Sequence, residues 1–392
     1  MLDIKKKALA MQDRLIAWRR DFHRYPEPSY QERRTADIIE AELRRLGIDT
    51  VRVGDTGVLG TLQGARHGER AVALRADIDA LPIQETAQHD YVSTVDGVMH
   101  ACGHDCHTAC LLGAAHLLAA RRNDFGGQVR FIFQPAEELG GGANDMIAAG
   151  ALDGVGRVFG LHTAPDLPAG SVGLKPGLNN ASVDQFIITV AGRSTHVSTP
   201  HLGVDALYIA SQIVVALQAL VTRMSSPVEP LLIGVGKLTA GTTYNALAKQ
   251  AVLEGTTRAV TVETRAWVRQ KVEQTAKSIA ALYGGTAEIT WKDFASPLIN
   301  DPQATAEAAK LMDDMFGPGH VVADRPLFLS GDNFAEYLLQ VPGAYAYLGT
   351  GNPAKPGTQD NIHSSGFDID EEVLPIGAAL DAAYALFWLT GE

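Results

Sequence analysis

Eleven residues, Met99 to Ala109 (MHACGHDCHTA), hold three histidines, two cysteines and an aspartate. Cys102 and His104 stand two apart across Gly103, too close for one helical face, so a turn must aim both side chains into a shared space. Thiolate and imidazole are the usual ligands of a borderline-soft divalent metal. Taken alone, the stretch reads equally well as a cysteine-rich helix start with exposed histidines. Further ligand types follow along the chain: Asp77 and Asp79 in RADIDALP, Glu137 and Glu138 in FQPAEELGGGA, His162 after VFGL, and His363 in NIHSSGF. A lone histidine or a pair of acids at a helix start needs no ligand to explain it. The joint set is the mixture that a two-metal hydrolase requires. Two adjacent glutamates then have separate uses, one binding metal and the other free to take a proton from activated water and pass it to a leaving amine. A cysteine hydrolase built on Cys102 is the rival reading, and it leaves Glu137, Glu138, His162 and His363 without a task.

The elements that must position these groups alternate between strand and helix. Ile4 to Phe22 reads as one amphipathic helix and Arg33 to Leu46 as another, with the Pro-broken loop FHRYPEPSYQE between them. Val51 to Gln63 and Ala71 to Leu81 read as strands, the second delivering Asp77 and Asp79 to its C-terminal edge, where sites form in open α/β sheets. The buried run Val129 to Phe133, stopped by Pro135, presents the two glutamates. A shorter strand, Val158 to Leu161, is followed directly by His162. These alternations predict an α/β fold, a mixed and largely parallel sheet flanked by helices. Between residues 181 and 295 the order becomes β-α-β-β-α-β, a ferredoxin-like α+β unit inserted into the first domain. The expected domains are therefore 1–180 and 296–392 for the catalytic part and 181–295 for the insertion.

Composition narrows the class. The chain has 392 residues, 46% of them hydrophobic, and a formal charge of −12, which argues against nucleic acid or anionic membrane as a partner. The three cysteines Cys102, Cys106 and Cys110 fall at i, i+4 and i+8, which is not a secreted disulfide framework. The N-terminal residues lack a signal-peptide pattern and no run approaches eighteen uncharged apolar residues, so no membrane span and a cytoplasmic location are expected. Gly140 to Gly142 lacks the Lys and Ser/Thr of a phosphate loop and reads as a turn.

The motifs RADIDALP, MHACGHDCHTA, FQPAEELGGGA, GLH, NALA, GTTR and IHSSGFDIDEE occur in that order over nearly the whole chain. Together they resemble the amidohydrolase branch of the dinuclear aminoacylase/carboxypeptidase metallopeptidases, which includes hippurate hydrolases and other N-acyl-amino-acid amidohydrolases. The resemblance implies a zinc-exopeptidase-like catalytic domain and two divalent metals per subunit, zinc first, with manganese, nickel or cobalt as alternatives. It implies metal ligands at Cys102, His104, Glu138, His162 and His363, and Glu137 as general base and then acid. Asp79 would steer a ligand, with Asp105 and His107 in similar supporting places. Asp77 stands where distant relatives carry a ligand histidine and is left out of the metal set. The insertion would be a lid and dimerisation domain, giving a homodimer or higher homo-oligomer. His196 resembles the histidine that polarises the scissile carbonyl, with His201 as its rival. Asn245 and Arg258 resemble residues that hold the substrate's carboxylate or carbonyl, a plain surface arginine being the other reading of Arg258. The implied reaction is hydrolysis of the amide of a small N-acyl or N-aroyl amino acid. Dipeptide exopeptidase action is the nearest alternative, and a non-catalytic binding protein is the alternative from another class. Three departures bear on the pockets: no Pro-fixed turn follows Asn245, Gly331–Asp332–Asn333–Phe334 replaces a Glu-Asp-Phe triplet, and Ser364–Ser365 follows His363.

Overall fold

The computed structural model describes residues 2–391. The chain divides into two compact units, one formed by Met1–Gly177, Ile299–Pro326 and Asn333–Glu392, the other by Leu178–Leu298 and Leu327–Asp332.

The first unit is built on an eight-stranded sheet. The strands Gly126–Gln134, Arg66–Asp77, Val155–Pro168 and Gly343–Gly351 lie side by side and parallel. Antiparallel strands Gly57–Gln63 and Asp49–Val53 extend one edge, and Val172–Gly173 and Val321–Val322 extend the other. The fold is the expected mixed α/β class with a mostly parallel central sheet flanked by helices. Its parallel strands are apolar on both faces because helices cover both. Leu74, Phe131, Phe133 and Phe159 are fully buried, as are Leu112, Ala115 and Leu118 of the helix His104–Ala119.

Three local expectations are corrected. The helix expected over Ile4–Phe22 is two, Leu2–Leu9 and Gln12–Arg24, because the turn at Ala10–Met11 re-aims the apolar stripe so that Ile4, Ala8, Leu15 and Phe22 all reach the core. The strand expected over Val51–Gln63 is a hairpin that turns at Gly54, whose φ of 57° suits glycine. The strand expected to end at Leu161 runs on to Pro168, so His162 lies within it, opposite Tyr347.

The C-terminal helix Leu374–Thr390 is apolar around its circumference and lies almost wholly inside the unit. Asp381 sits on it, 3% exposed, with one carboxylate oxygen lacking a hydrogen-bond partner. Burial pushes its carboxyl well above the usual range, so the native state keeps the proton that the unfolded chain releases above about pH 4. Stability contributed at this position therefore falls as pH rises from there toward the raised native pKa. Asp381→Asn removes the ionisation while keeping the shape. The difference in Tm between variant and wild type is expected to widen in the variant's favour by a few degrees between pH 4 and pH 7, since about 1 kcal/mol moves Tm by ~2–4 °C in a domain of this size. A difference that stays constant over that range would show that Asp381 does not titrate this way.

The second unit has the antiparallel sheet order Thr286–Ala295, Val183–Ala191, Gln250–Ala259, Leu231–Ala240. Helices Ala206–Ala219 and Val262–Leu282 complete a ferredoxin-like β-α-β-β-α-β unit. Asp205 caps the first helix and Thr261 the second, each accepting hydrogen bonds from the first-turn amides. Phe186, Ile188, Ile209, Ile213, Leu253 and Val268 form its own core.

Candidate metal centre

The turn expected between Cys102 and His104 is present and depends on Gly103. Its φ is 85°, and a Cβ there would lie 2.5 Å from the Thr163 Oγ1. The residue caps the helix His104–Ala119, so that helix starts with His104 facing the centre. Thr163 secures the other side, its hydroxyl donating to the Cys102 carbonyl at 2.8 Å.

Four further segments converge on this turn. His162 donates from Nδ1 to the Thr163 carbonyl at 2.8 Å, which leaves Nε2 to face the Cys102 Sγ at 3.4 Å. The His104 Nδ1 lies 3.2 Å from Asp79 Oδ1, and Asp79 is itself held by the Ser29 hydroxyl at 2.6 Å and the Glu138 amide at 3.0 Å. Glu137 and Glu138 open a short 3-10 turn, Glu137–Leu139, just beyond the strand that ends at Gln134. His363 comes from the loop before the last helix, its amide donating to the Ala101 carbonyl at 2.7 Å and its Nε2 standing 3.4 Å from Glu138 Oε1.

The donor atoms form overlapping clusters. Those of Cys102, His104 and His162 lie within 4.8 Å of one another, and so do those of Cys102, Glu138 and His363 and those of His104, Glu137 and Glu138. Cys102, His104 and Glu138 each belong to two of these clusters. The set fits divalent metal on this structure's own terms. The His104 Nε2 and Glu138 Oε1 are buried with no hydrogen-bond partner, 3.8 Å apart. Buried atoms of that kind cost free energy unless a ligand meets them. Burial, reinforced by the Glu138 charge, pushes the Cys102 thiol well above its usual range. A thiol held protonated by burial lacks the activation that a nucleophilic cysteine needs, which counts against the cysteine-hydrolase reading. A bound cation reverses that balance, because a coordinating thiol is deprotonated.

Two backbone positions at this centre are strained. Ala136, immediately before Glu137, has φ 54°, and His363 has φ 64°. Non-glycine residues in that region cost roughly 1–2 kcal/mol each. Neighbouring groups hold them there: buried Glu32 accepts the Ala136 amide at 2.8 Å, and Ala101 holds the His363 amide. Burial pushes the Glu32 carboxyl up to about 7. The Asn333 amide donates to Glu137 Oε1 at 3.1 Å, while its side chain ties Arg75, Gln134 and the Gly141 carbonyl together.

A scan against protein-family models matches residues 73–386 to the family described as Peptidase family M20/M25/M40. The chain belongs to this family. The M20 chain is 39% identical to the N-acetylcysteine deacetylase of Bacillus subtilis (strain 168), over 97% of this chain and 98% of that protein. It is 38% identical to thermostable carboxypeptidase 1 of Saccharolobus solfataricus, over 98% of this chain and 97% of that one. A solved structure from B. subtilis, the YXEP protein, described as a dinuclear metal-binding peptidase of family M20, superposes with a TM-score of 0.82 at 37% identity, covering 97% of this chain and 99% of that one. The M20 chain is a hydrolase of amide bonds, and its ligand clusters fit two divalent metals.

In this M20 chain the structure brings Cys102, His104, Glu137, Glu138, His162 and His363 together, with Asp79 behind His104. Asp77 also borders this centre: it pairs with Arg75 at 2.6 Å and with His107 at 2.5 Å, its Oδ2 stands 3.6 Å from the His104 Nε2, and its donor atom clusters with those of His104 and His107. His107 is a supporting residue, its Nε2 accepting the Thr163 amide at 2.8 Å. Asp105 does not steer a ligand of this centre. Its carboxylate is taken by Arg19 at 2.9 Å and His23 at 2.7 Å, on the far side of its helix turn from His104. Cys106 and Cys110 are fully buried in the helix, as expected of small apolar residues.

His196, Asn245 and Arg258 lie in the second unit. His196 is exposed, with Nδ1 at 2.7 Å from the Ser198 hydroxyl, and its loop is laced to that of Asn245 by the Val197 amide donating to the Asn245 carbonyl at 3.1 Å. The segment after Asn245 is held in turn by the Leu247 amide donating to the Thr195 carbonyl at 2.8 Å. Arg258 is half-buried and donates to the Leu329 and Thr257 carbonyls at 2.9 Å.

Ser29, Glu32 and Asn333 were not foreseen as parts of the site. Ser29 and Glu32 lie in FHRYPEPSYQE, whose Pro-broken texture marks a loop but does not say what the loop touches.

Asp79→Ala is expected to weaken metal binding by roughly 10–100-fold, because it frees the His104 ring and leaves the Glu138 amide without its acceptor. A competitive chelator titration measures this, and unchanged affinity would show that Asp79 does not orient the ligand.

Proposed function

We propose that the chain is an amidohydrolase that cleaves N-acyl or N-aroyl amino acids. The observation that carries this reading is Glu137, placed on the same short turn as the ligand-type Glu138, with donor atoms of Glu137, Glu138 and His104 within 4.8 Å of one another. The N-acetylcysteine deacetylase name of a relative that aligns over nearly the whole chain supports a small N-acyl substrate. The carboxypeptidase name of another supports dipeptide cleavage as the second reading.

Divalent cations held by Cys102, His104, Glu138, His162 and His363 would supply Lewis acidity to water and to the scissile carbonyl. Zinc suits the thiolate, and manganese, nickel and cobalt suit the rest of the set. Glu137 takes a proton from water as the water oxygen bonds to the carbonyl carbon. The same carboxyl returns that proton to the leaving nitrogen as the C–N bond breaks, giving a free acid and an amino acid. His196 polarises the carbonyl oxygen in this reading. Arg258, a planar bidentate donor, and Asn245 hold the substrate carboxylate.

A homodimer through the second unit is part of the proposal. The edge strand Leu231–Ala240 has no partner on one side, and Leu207, Val215, Leu232 and Leu238 are exposed large apolar residues of that unit. A monomer by light scattering at working concentration would exclude it.

The deciding experiment is a substrate panel of N-acetyl and N-benzoyl amino acids and unmodified dipeptides, assayed with added zinc or manganese. The proposal expects kcat/KM for N-acyl amino acids to exceed that for dipeptides by at least tenfold. The reverse order would establish the exopeptidase reading instead.

A further inference from the structure

We propose a separate cation site formed by His23, Glu85 and His89, away from the ligand set above. Their donor atoms lie within 4.8 Å of one another. Glu85 Oε1 stands 3.2 Å from the His23 Nε2 and 3.0 Å from the His89 Nε2. Ligands bonded at ~2.0–2.2 Å to a tetrahedral zinc sit roughly 3.3 Å apart, close to both Glu85 separations, so a small adjustment of the rings accommodates a cation.

The surroundings are those of a ligand set. His23 is fully buried, and its Nδ1 is 2.7 Å from Asp105 Oδ2, the carboxylate–histidine pairing that fixes a ring with its other nitrogen toward a metal. The other oxygen of Glu85 accepts the Ser93 amide at 2.6 Å, which aims Oε1 at the two histidines. Neither ring nitrogen of His89 has a hydrogen-bond partner, although both atoms are buried. The ring is held instead by stacking on Tyr91, with centroids 3.7 Å apart. His89 also lines an open cavity of about 490 Å³, which gives a cation a path and a water for its remaining position.

Charge points the same way. Arg19 pairs with Asp105, Asp368 and Glu371, and Arg20 with Glu371. Arg20 also faces Asp90 at 3.8 Å, so with Glu85 five carboxylates face two guanidiniums, leaving negative charge that imidazolium or a divalent cation would balance. Glu85 faces only the Nε2 of His89, so an imidazolium buried there would leave its Nδ1–H unmet, which favours the cation.

The test is titration of metal-free protein with Co²⁺. The catalytic ligand set contains Cys102 and gives a near-ultraviolet sulfur-to-cobalt charge-transfer band, whereas a site of two imidazoles and a carboxylate adds only visible d–d absorption. In wild type the charge-transfer band is expected to saturate at about two equivalents, with a third adding visible absorption alone. His89→Leu and Glu85→Gln are each expected to lose that third equivalent while keeping the charge-transfer band, which also reports that the variant is folded. Saturation of wild type at two equivalents, or a third equivalent that survives in a folded variant of either kind, would overturn the proposal. Both results are independent of the substrate, so the site can fail while the amidohydrolase reading stands.

Discussion

Glu137→Gln is expected to lower kcat for amide hydrolysis by about 10²–10⁴-fold while metal content stays at the wild-type level. The amide side chain keeps the size of the carboxylate and can still accept the Asn333 N–H, so the turn that carries Glu138 is preserved. It cannot take a proton from water at any pH near neutrality. The loss should therefore fall on kcat, with little change in KM, because the interaction removed operates only in the transition state. Glu137→Ala should lose as much activity with the same metal content. If either variant kept activity within tenfold of wild type with metal bound, the proton would have to travel through another group, and the proposed mechanism would be wrong.

The parallel sheet and the inserted unit were legible because apolar runs and their Gly/Pro boundaries are local signals. Val129 to Phe133 followed by Pro135 can hardly be anything but a buried strand. The ligand types were legible for a related reason: in an open α/β sheet, strand ends face one edge, so carboxylates and histidines at several strand ends converge. What could not be read was which neighbours hold them. Asp105 and His104 are adjacent in sequence, yet one faces Arg19 and His23 and the other the candidate metals. Adjacent helical residues point about 100° apart, and only the packed helix Gln12–Arg24 shows what meets the second direction. Ser29 and Glu32 illustrate the same limit across a greater separation, since each acts on residues about fifty or a hundred positions later. His162 shows where local reading erred, since Thr163 and the residues to Pro168 continue the strand by pairing with Gly343–Gly351, a partner nearly two hundred residues on.

The arrangement of braces has a consequence for how the centre tolerates change. Asp79, Glu32 and Asn333 each hold one side of the Ala136–Glu138 turn through a hydrogen bond, those of Glu32 and Asn333 fully buried. Such a turn is rigid before substrate arrives, so positioning of the base costs nothing at the moment of reaction. A substitution among these braces should misplace Glu137 and Glu138 together, and metal binding and proton transfer should weaken in step.

Removal of metal by a strong chelator is expected to abolish amide hydrolysis, to below about 1% of the starting rate, with recovery on adding zinc or manganese. Cys102→Ala should reproduce that loss and resist recovery, because Cys102 lies in both the cluster with His104 and His162 and the cluster with Glu138 and His363. Removing it takes a ligand-type group away from both clusters at once. His363→Ala, by contrast, removes a ligand from only one of those two clusters and should weaken one cation more than the other. Metal analysis after gel filtration separates the cases: Cys102→Ala lowers occupancy of both ions of the catalytic centre, and His363→Ala lowers chiefly one. The sulfur-to-cobalt band disappears in the first variant and persists in the second. If Cys102→Ala retained both ions and its activity, the thiolate would be a bystander. The centre would then rest on His104, His162, Glu138 and His363 alone, and the burial that drives the Cys102 thiol upward would leave it protonated as an ordinary apolar side chain.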